Sequence, residues 1–221
     1  MIKVLIYAEG QTEERFIKNL LVPHLASVGV YATPVVATTK VVKSGLNFKG
    51  GIGNYSRAKK EIRRLLNDSS ARRVTTMLDY YGLDGSFPGR QSPMGADCYQ
   101  RVTYVERALF DDVSTPTFLP FLTLHEFEGL LFASPHEIAH TLAEGERLAD
   151  LLAIRSQFKT PEEINDDART APHRRLAKLY PSYNKPLHGS LIASRVGLEK
   201  MRAECPHFNE WVTKLEGLAR K

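Results

Sequence analysis

The sequence predicts an α/β fold: a central, mostly parallel sheet of about four strands flanked by helices, then a helical C-terminal part. Three observations predict it. Apolar runs of strand length alternate with helical periodicity over the first 133 residues, the order that covers both faces of a parallel sheet. Three of the four runs end in acidic residues, at the edge where open parallel sheets place ligands. Beyond residue 133 the pattern is one of short helical stripes broken at Pro135, Pro161, Pro172, Pro181, Pro186 and Pro206. Residues 1–133 therefore read as the α/β core and residues 134–221 as a helical cap packed on it.

Residues 2–8 (Ile2, Val4, Leu5, Ile6, Tyr7) form a buried strand. Glu9-Gly10-Gln11-Thr12 turns into a helix with Phe16, Ile17, Leu20 and Leu21 at helical spacing. A short second strand near residues 34–38 leads into a long loop with Lys40, Lys43 and Lys49, a length that tends to carry function inside a compact domain. Residues 55–66 are helical, with Lys59, Lys60, Arg63 and Arg64 on the polar side. The third strand, residues 73–80, carries an aspartate at its end, and a turn-rich segment follows. A helix over about residues 97–110 leads to a fourth strand, residues 117–124, and then to His125-Glu126-Phe127-Glu128.

The chain has 221 residues, 43% of them hydrophobic and 25% charged, with net charge +5. That composition excludes collagen-like, disordered and coiled-coil classes, and its length suits one domain with a real core. The basic surplus favours anionic partners only weakly. Two cysteines, Cys98 and Cys205, lack metal-ligand spacing and are too few for a disulfide scaffold, so a reducing cytoplasm is the expected location. The first ten residues lack the make-up of a secretory signal, and no stretch reaches the length of a membrane span.

The acidic strand ends carry the chemistry. In a parallel sheet Glu9, Asp79 and the Glu126/Glu128 pair converge at one edge, and Glu13, four residues after Glu9, joins from the same helix face. Carboxylates at close quarters repel and raise one another's pKa unless a cation compensates. A hard divalent ion, Mg²⁺ or Mn²⁺, is the economical answer. The plainer alternatives are a helix-dipole role for Glu13 and Glu14, and a solvent-facing side chain for one of Glu126 and Glu128.

Glu9-Gly10-Gln11-Thr12-Glu13, Asp79-Tyr80-Tyr81-Gly82, the Phe87-Pro88-Gly89 turn, His125-Glu126-Phe127-Glu128 and residues 183–189 (YNKPLHG) resemble the bacterial domain of unknown function 4276 family across nearly the whole chain. That family is similar in turn to the Toprim-like fold of the overcoming-lysogenization-defect nucleases. In those nucleases the first strand ends in a catalytic glutamate, a second glutamate follows four residues later, and the third strand ends in Asp-x-Asp. Here Tyr81 stands at the second aspartate position. Asp84, in the following loop, is a candidate substitute or a turn former beside Gly82 and Gly85.

Phosphodiester cleavage also needs a cation facing the acids. Lys185, in a segment shaped by Pro186 and Gly189, is the candidate, with an exposed surface lysine as the plainer alternative. His188 is either a phosphate donor or a structural cap. Lys43, Lys49, Lys59 and Arg63 are candidates for tracking a nucleic-acid backbone, or a solvated face. No Gly-x-Ser-x-Gly elbow and no Walker loop occurs, so ATP use would belong to a partner.

The sequence thus points to a Mg²⁺-dependent, Toprim-like nuclease with Glu9 and Asp79 as main ligands and Glu13, Glu126, Glu128 or Asp84 in support. The resemblance implies a separate ATPase partner and a role in anti-phage defence. The alternatives are a catalytically degenerate adaptor that binds nucleic acid or an ATPase, and a metal-dependent phosphatase.

Overall fold

A computed structural model describes residues 1–37, 52–91, 97–142, 145–164 and 168–220. Lys40, Lys43 and Lys49 lie outside them. The sheet order is β2-β1-β3-β4, with β5 also on β3, and every pairing is parallel. Its strands are β1 (Ile2–Ala8), β2 (Val30–Val36), β3 (Ala71–Asp79), β4 (Phe118–Leu119) and β5 (Leu122–Thr123).

Alternation along β1 divides the core, because successive side chains leave a strand on opposite faces. Val4, Ile6 and Ala8 join one apolar cluster; Leu5 and Tyr7 join the other. The second face is covered by α3 (Tyr55–Leu66) and α4 (Cys98–Val113). The first carries α1 (Gln11–Phe16), which continues through a wider π-helical segment, Ile17–Leu21, into α2 (Val22–Ser27). On the same side lie the remaining helices: α5 (Glu128–Leu131), α6 (Pro135–Thr141), α7 (Leu148–Arg155), α8 (Pro172–Leu179), α9 (Ser190–Val196), α10 (Leu198–Glu204) and α11 (Pro206–Glu216).

The C-terminal helices share one apolar cluster with β1. Trp211 of α11 stacks on Phe121 with centroids 4.2 Å apart and donates its indole N–H to Thr75 Oγ1 of β3 at 2.9 Å. Burying side chains of this size contributes about 1.5–3 kcal/mol each, so the cap is held by the sheet itself.

The second and fourth strands differ most from the sequence reading, while β3 starts and ends one or two residues earlier than residues 73–80 and α4 extends to Val113. The second strand runs over Val30–Val36, earlier than expected, because alternate residues Val30 and Ala32 are the buried ones. The fourth run is divided into β4 and β5 at Pro120-Phe121. Proline offers no N–H to a ladder, and Phe121 pairs instead with a side chain. Its N–H donates to Thr76 Oγ1 at 2.8 Å and its carbonyl accepts from the same hydroxyl at 2.8 Å.

α4 begins where its sequence says it should. Asp97 Oδ1 accepts from the Gln100 N–H at 2.8 Å and Gln100 Oε1 from the Asp97 N–H at 3.1 Å, a reciprocal cap. α3 returns antiparallel to the strands, and beyond its C-terminal end Asp68 pairs with Lys3 at the start of β1, 2.7 Å away. Arg63 and Arg64 therefore lie toward the edge of the sheet opposite the ends of β1 and β3.

Candidate active site

Glu9 follows β1 directly, and its Oε2 accepts from the Asp79 backbone N–H at 3.2 Å, so the ends of the two central strands are tied through this side chain. The close approach needs a glycine nearby: a Cβ on Gly82 would stand 3.0 and 3.1 Å from the two Glu9 oxygens. Glu13 lies in the first turn of α1 and is 2% exposed. Asp79 ends β3. Its Oδ1 accepts from Thr123 Oγ1 at 2.8 Å and from the Phe127 N–H at 2.9 Å, which leaves Oδ2 aimed at Lys185.

Of the two acids flanking Phe127, Glu128 enters the centre. Phe127 already has helical backbone angles and Glu128 starts α5, fully buried, so the alternation of a strand has ended there. The Tyr183 hydroxyl donates to Glu128 Oε1 at 3.3 Å. Glu126 turns outward to α8, where both its oxygens lie 2.7 Å from His173 Nδ1 and Oε2 accepts from the His173 N–H. Burial alone would raise the Glu126 pKa, but the bond to His173 brings it below the ordinary value.

The Lys185 ammonium is 3.0 Å from Glu128 Oε2, 3.3 Å from Asp79 Oδ2 and 3.9 Å from Glu13 Oε1. Its segment, Lys185–Gly189, is fixed from three directions. Asn184 Oδ1 accepts from the Leu187 N–H at 3.1 Å, Arg15 donates to the Pro186 carbonyl at 2.8 Å, and Gly189 packs so closely on α1 that a Cβ would meet Thr12 Cγ2 at 3.1 Å. Burial would lower the Lys185 pKa, yet Asp79, Glu128 and Glu13 hold it well above its ordinary value.

Four carboxylates against one ammonium leave negative charge uncompensated. Burial, then repulsion from Asp79 and Glu13, pushes Glu9 up to about 8. Burial, then Asp79, pushes Glu13 up to about 7. Burial also raises Glu128. An all-oxygen, acid-rich donor set of this kind fits a hard divalent cation in chemistry and charge. Among the described residues, no three His, Cys, Asp or Glu side chains already stand in ligating geometry.

The other sequence candidates lie elsewhere. Asp84 is exposed and bound to Ser86, whose N–H it accepts at 2.9 Å and whose hydroxyl also donates to it, so it forms a turn outside the cluster. Tyr81, at the missing aspartate's position, lies on His125 with ring centroids 5.0 Å apart. His188 Nδ1 accepts from the Asn184 N–H at 2.9 Å, which engages the imidazole in shaping the Lys185 segment. Lys59 is held by Asp112 at 2.6 Å. Arg63 is exposed on α3, on the flank away from the acids. Sequence reasoning gave no part to His173 and singled out neither Tyr183 nor Thr123. Tyr183 stood inside a quoted segment, but His173 lies 47 residues from Glu126 and carried no local signal.

The family described as "Domain of unknown function (DUF4276)" matches residues 8–216. No curated protein matches the chain. Among solved structures, the chain is similar to the C-terminal region of the Burkholderia pseudomallei OLD protein, with 15% identity, 99% of each chain covered and a TM-score of 0.47. No helix among the described residues is long and apolar enough to cross a membrane.

Proposed function

The chain belongs to the DUF4276 family, and we propose for it a divalent-metal-dependent nuclease activity, hydrolysis of phosphodiester bonds in nucleic acid. The observation that carries this reading is the convergence of Glu9, Glu13, Asp79 and Glu128 with Lys185 at the ends of β1 and β3. Glu9 and Asp79 would be the principal ligands of Mg²⁺ or Mn²⁺, with Glu13 and Glu128 completing the set. Such an ion lowers the pKa of bound water and neutralises charge on the phosphoryl oxygens.

The chain's own residues have separable tasks. Thr123 and the Phe127 N–H fix the Asp79 carboxylate, and Tyr183 does the same for Glu128, so the acids are oriented before substrate arrives. Lys185 supplies the positive charge that faces a scissile phosphate. Without an ion, burial and mutual repulsion let Glu9 and Glu13 hold a proton near physiological pH, and a bound cation would release it.

We further propose that a separate protein supplies ATP hydrolysis and that the chain acts in defence against phage, both readings resting on the resemblance to the overcoming-lysogenization-defect nucleases. The second reading, a degenerate adaptor, draws support from Tyr81 packed on His125 where an aspartate is expected.

Incubation with single- and double-stranded DNA and RNA, with Mg²⁺, Mn²⁺ or EDTA, separates the two. The nuclease reading expects metal-dependent cutting that Glu9→Gln and Asp79→Asn abolish. Absence of cutting on all substrates, with nucleic-acid binding kept by wild type and variants, establishes the adaptor instead.

A further inference from the structure

A second charged feature lies on the cap, in the groove between α7 and α8. The groove has a volume of about 390 Å³, within the range of ligand sites. Arg169, Arg174, Arg175 and Lys178 line it. Among the described residues its lining carries one acid, Asp150, already 3.5 Å from Arg147.

The cations are arranged rather than scattered. Arg175 is anchored, its Nε donating to the Thr170 carbonyl at 2.8 Å and its guanidinium lying 5.7 Å from the Phe158 ring centroid. Arg174 and Lys178 are exposed, four residues apart on one helix face, with no carboxylate partner among the described residues. A separation of four residues is roughly 6 Å along a helix, a step that suits neighbouring phosphates on one strand. Leu176, buried on the opposite side, fixes which face of α8 looks out.

The position of α8 gives the groove its meaning. His173, the residue before Arg174, holds Glu126 at 2.7 Å, two residues from Glu128 of the acidic centre. α8 is therefore tied at its start to the segment that carries Glu128, and Arg174 and Lys178 follow one and five residues after His173 along it. On α3 the first basic residues are engaged, Arg57 with Glu61 at 3.6 Å and Lys59 with Asp112 at 2.6 Å, and the later ones approach the opposite edge of the sheet.

We infer that the α7–α8 groove is a binding track for the phosphodiester backbone of the nucleic acid whose scissile bond reaches the acidic centre. This rests on the nuclease reading for its substrate class and adds the surface that holds the strand.

Fluorescence anisotropy with a fluorescein-labelled DNA strand, its duplex and the matching RNA, in EDTA, tests the groove without any cutting. Arg174→Gln/Lys178→Gln should bind at least tenfold more weakly at low salt. The slope of log affinity against log salt should fall by about 1.8 on the duplex, two phosphate contacts at 0.9 each, and by about 1.4 on the single strands. Arg174→Glu/Lys178→Glu should bind more weakly still, and both pairs are exposed substitutions whose fold circular dichroism verifies. Unchanged affinity and slope in folded variants, or no binding of any probe by wild type, overturns the track. A wild type that cuts while the groove variants bind normally removes the track and keeps the nuclease. A groove-dependent binder that never cuts with Mg²⁺ or Mn²⁺ keeps the track and removes the nuclease.

Discussion

Two regions of this protein bury glutamates, and they handle the charge in opposite ways. Glu162, 4% exposed, lies between α11 of the cap and α4 of the core and accepts from the Phe208 N–H at 2.9 Å, the His207 N–H at 3.0 Å and the Tyr99 hydroxyl at 3.4 Å. Each of its oxygens meets a donor fixed by the backbone or by a neighbouring hydroxyl, and the nearby Glu106 is bound separately, by the His207 ring at 2.9 Å. At the ends of β1 and β3 four acids gather, three of them within 4 Å of Lys185 and Glu9 tied to the Asp79 N–H. A buried acid that serves packing is satisfied where it stands. A group of acids held together against mutual repulsion is a feature that folding alone does not favour, and a cation from outside relieves it.

The largest effect should appear when a member of the group is made neutral. Asp79→Asn keeps the shape of the side chain but removes its charge beside Lys185. We expect a loss of metal-dependent cutting on the order of 10²-fold or more, read by gel assay on labelled DNA and RNA. Glu162→Gln should leave the cutting rate of folded protein unaltered, and equal losses in the two variants would break the comparison. In stability the order reverses. Glu162→Leu strands two backbone N–H groups in a buried place and should cost about 2–4 kcal/mol by urea titration, with no dependence on added Mg²⁺.

Lys185→Met is the intermediate case, since it leaves Asp79, Glu13 and Glu128 without their cation. Full removal of one partner from a buried pair costs about 3–5 kcal/mol, but the partly exposed lysine is screened, and about 1–3 kcal/mol is the expected loss at neutral pH. The double variant Lys185→Met/Glu13→Gln should recover part of it. A recovery of zero would mean that the acids do not share this ammonium.

The ends of β1 and β3 were legible because a strand's apolar pattern stops abruptly, at Ala8 and Leu78, and an acid follows each. The sorting of Glu126 from Glu128 was not legible, because it depends on where strand geometry gives way to helix and on His173, brought near only by the fold. The split of the fourth strand could be read in part, from Pro120, but the replacement of its ladder by the Thr76 hydroxyl could not. Lys185 was readable from the loop that surrounds it. Arg174 and Lys178 were not, since lysines and arginines on an isolated helix look the same whether or not a groove lies beside them.

A smaller effect concerns pH. Glu9 and Glu13 have folded-state pKa values of about 8 and about 7, above the ordinary 4.5. Their protons therefore stabilise the fold fully below about pH 4.5, and that contribution is lost as pH rises through about 7 and 8. In EDTA the melting temperature should fall between about pH 4.5 and about pH 8 and level off above that. Mn²⁺ should raise it more at the alkaline end, where the acids are ionised. Glu9→Gln should flatten the profile. A metal-independent, flat profile in the wild type would show that the acids are already compensated.

The smallest effect tests whether enclosure, and not the number of charges, separates the two kinds of region. Lys59 and Asp112 stand 2.6 Å apart, closer than any of the Lys185 contacts, yet both side chains remain partly open to solvent. Water and salt already screen such a pair, and the side chains lose freedom when they meet, so the net gain is small. Lys59→Ala should change stability by about 0–1 kcal/mol, and by less at high salt. Lys185→Met should keep most of its effect in the same titration, because the acids it faces are 0–5% exposed. If the two variants lost stability equally, and lost salt dependence equally, distance alone would rank these pairs and the buried acids would have no special standing.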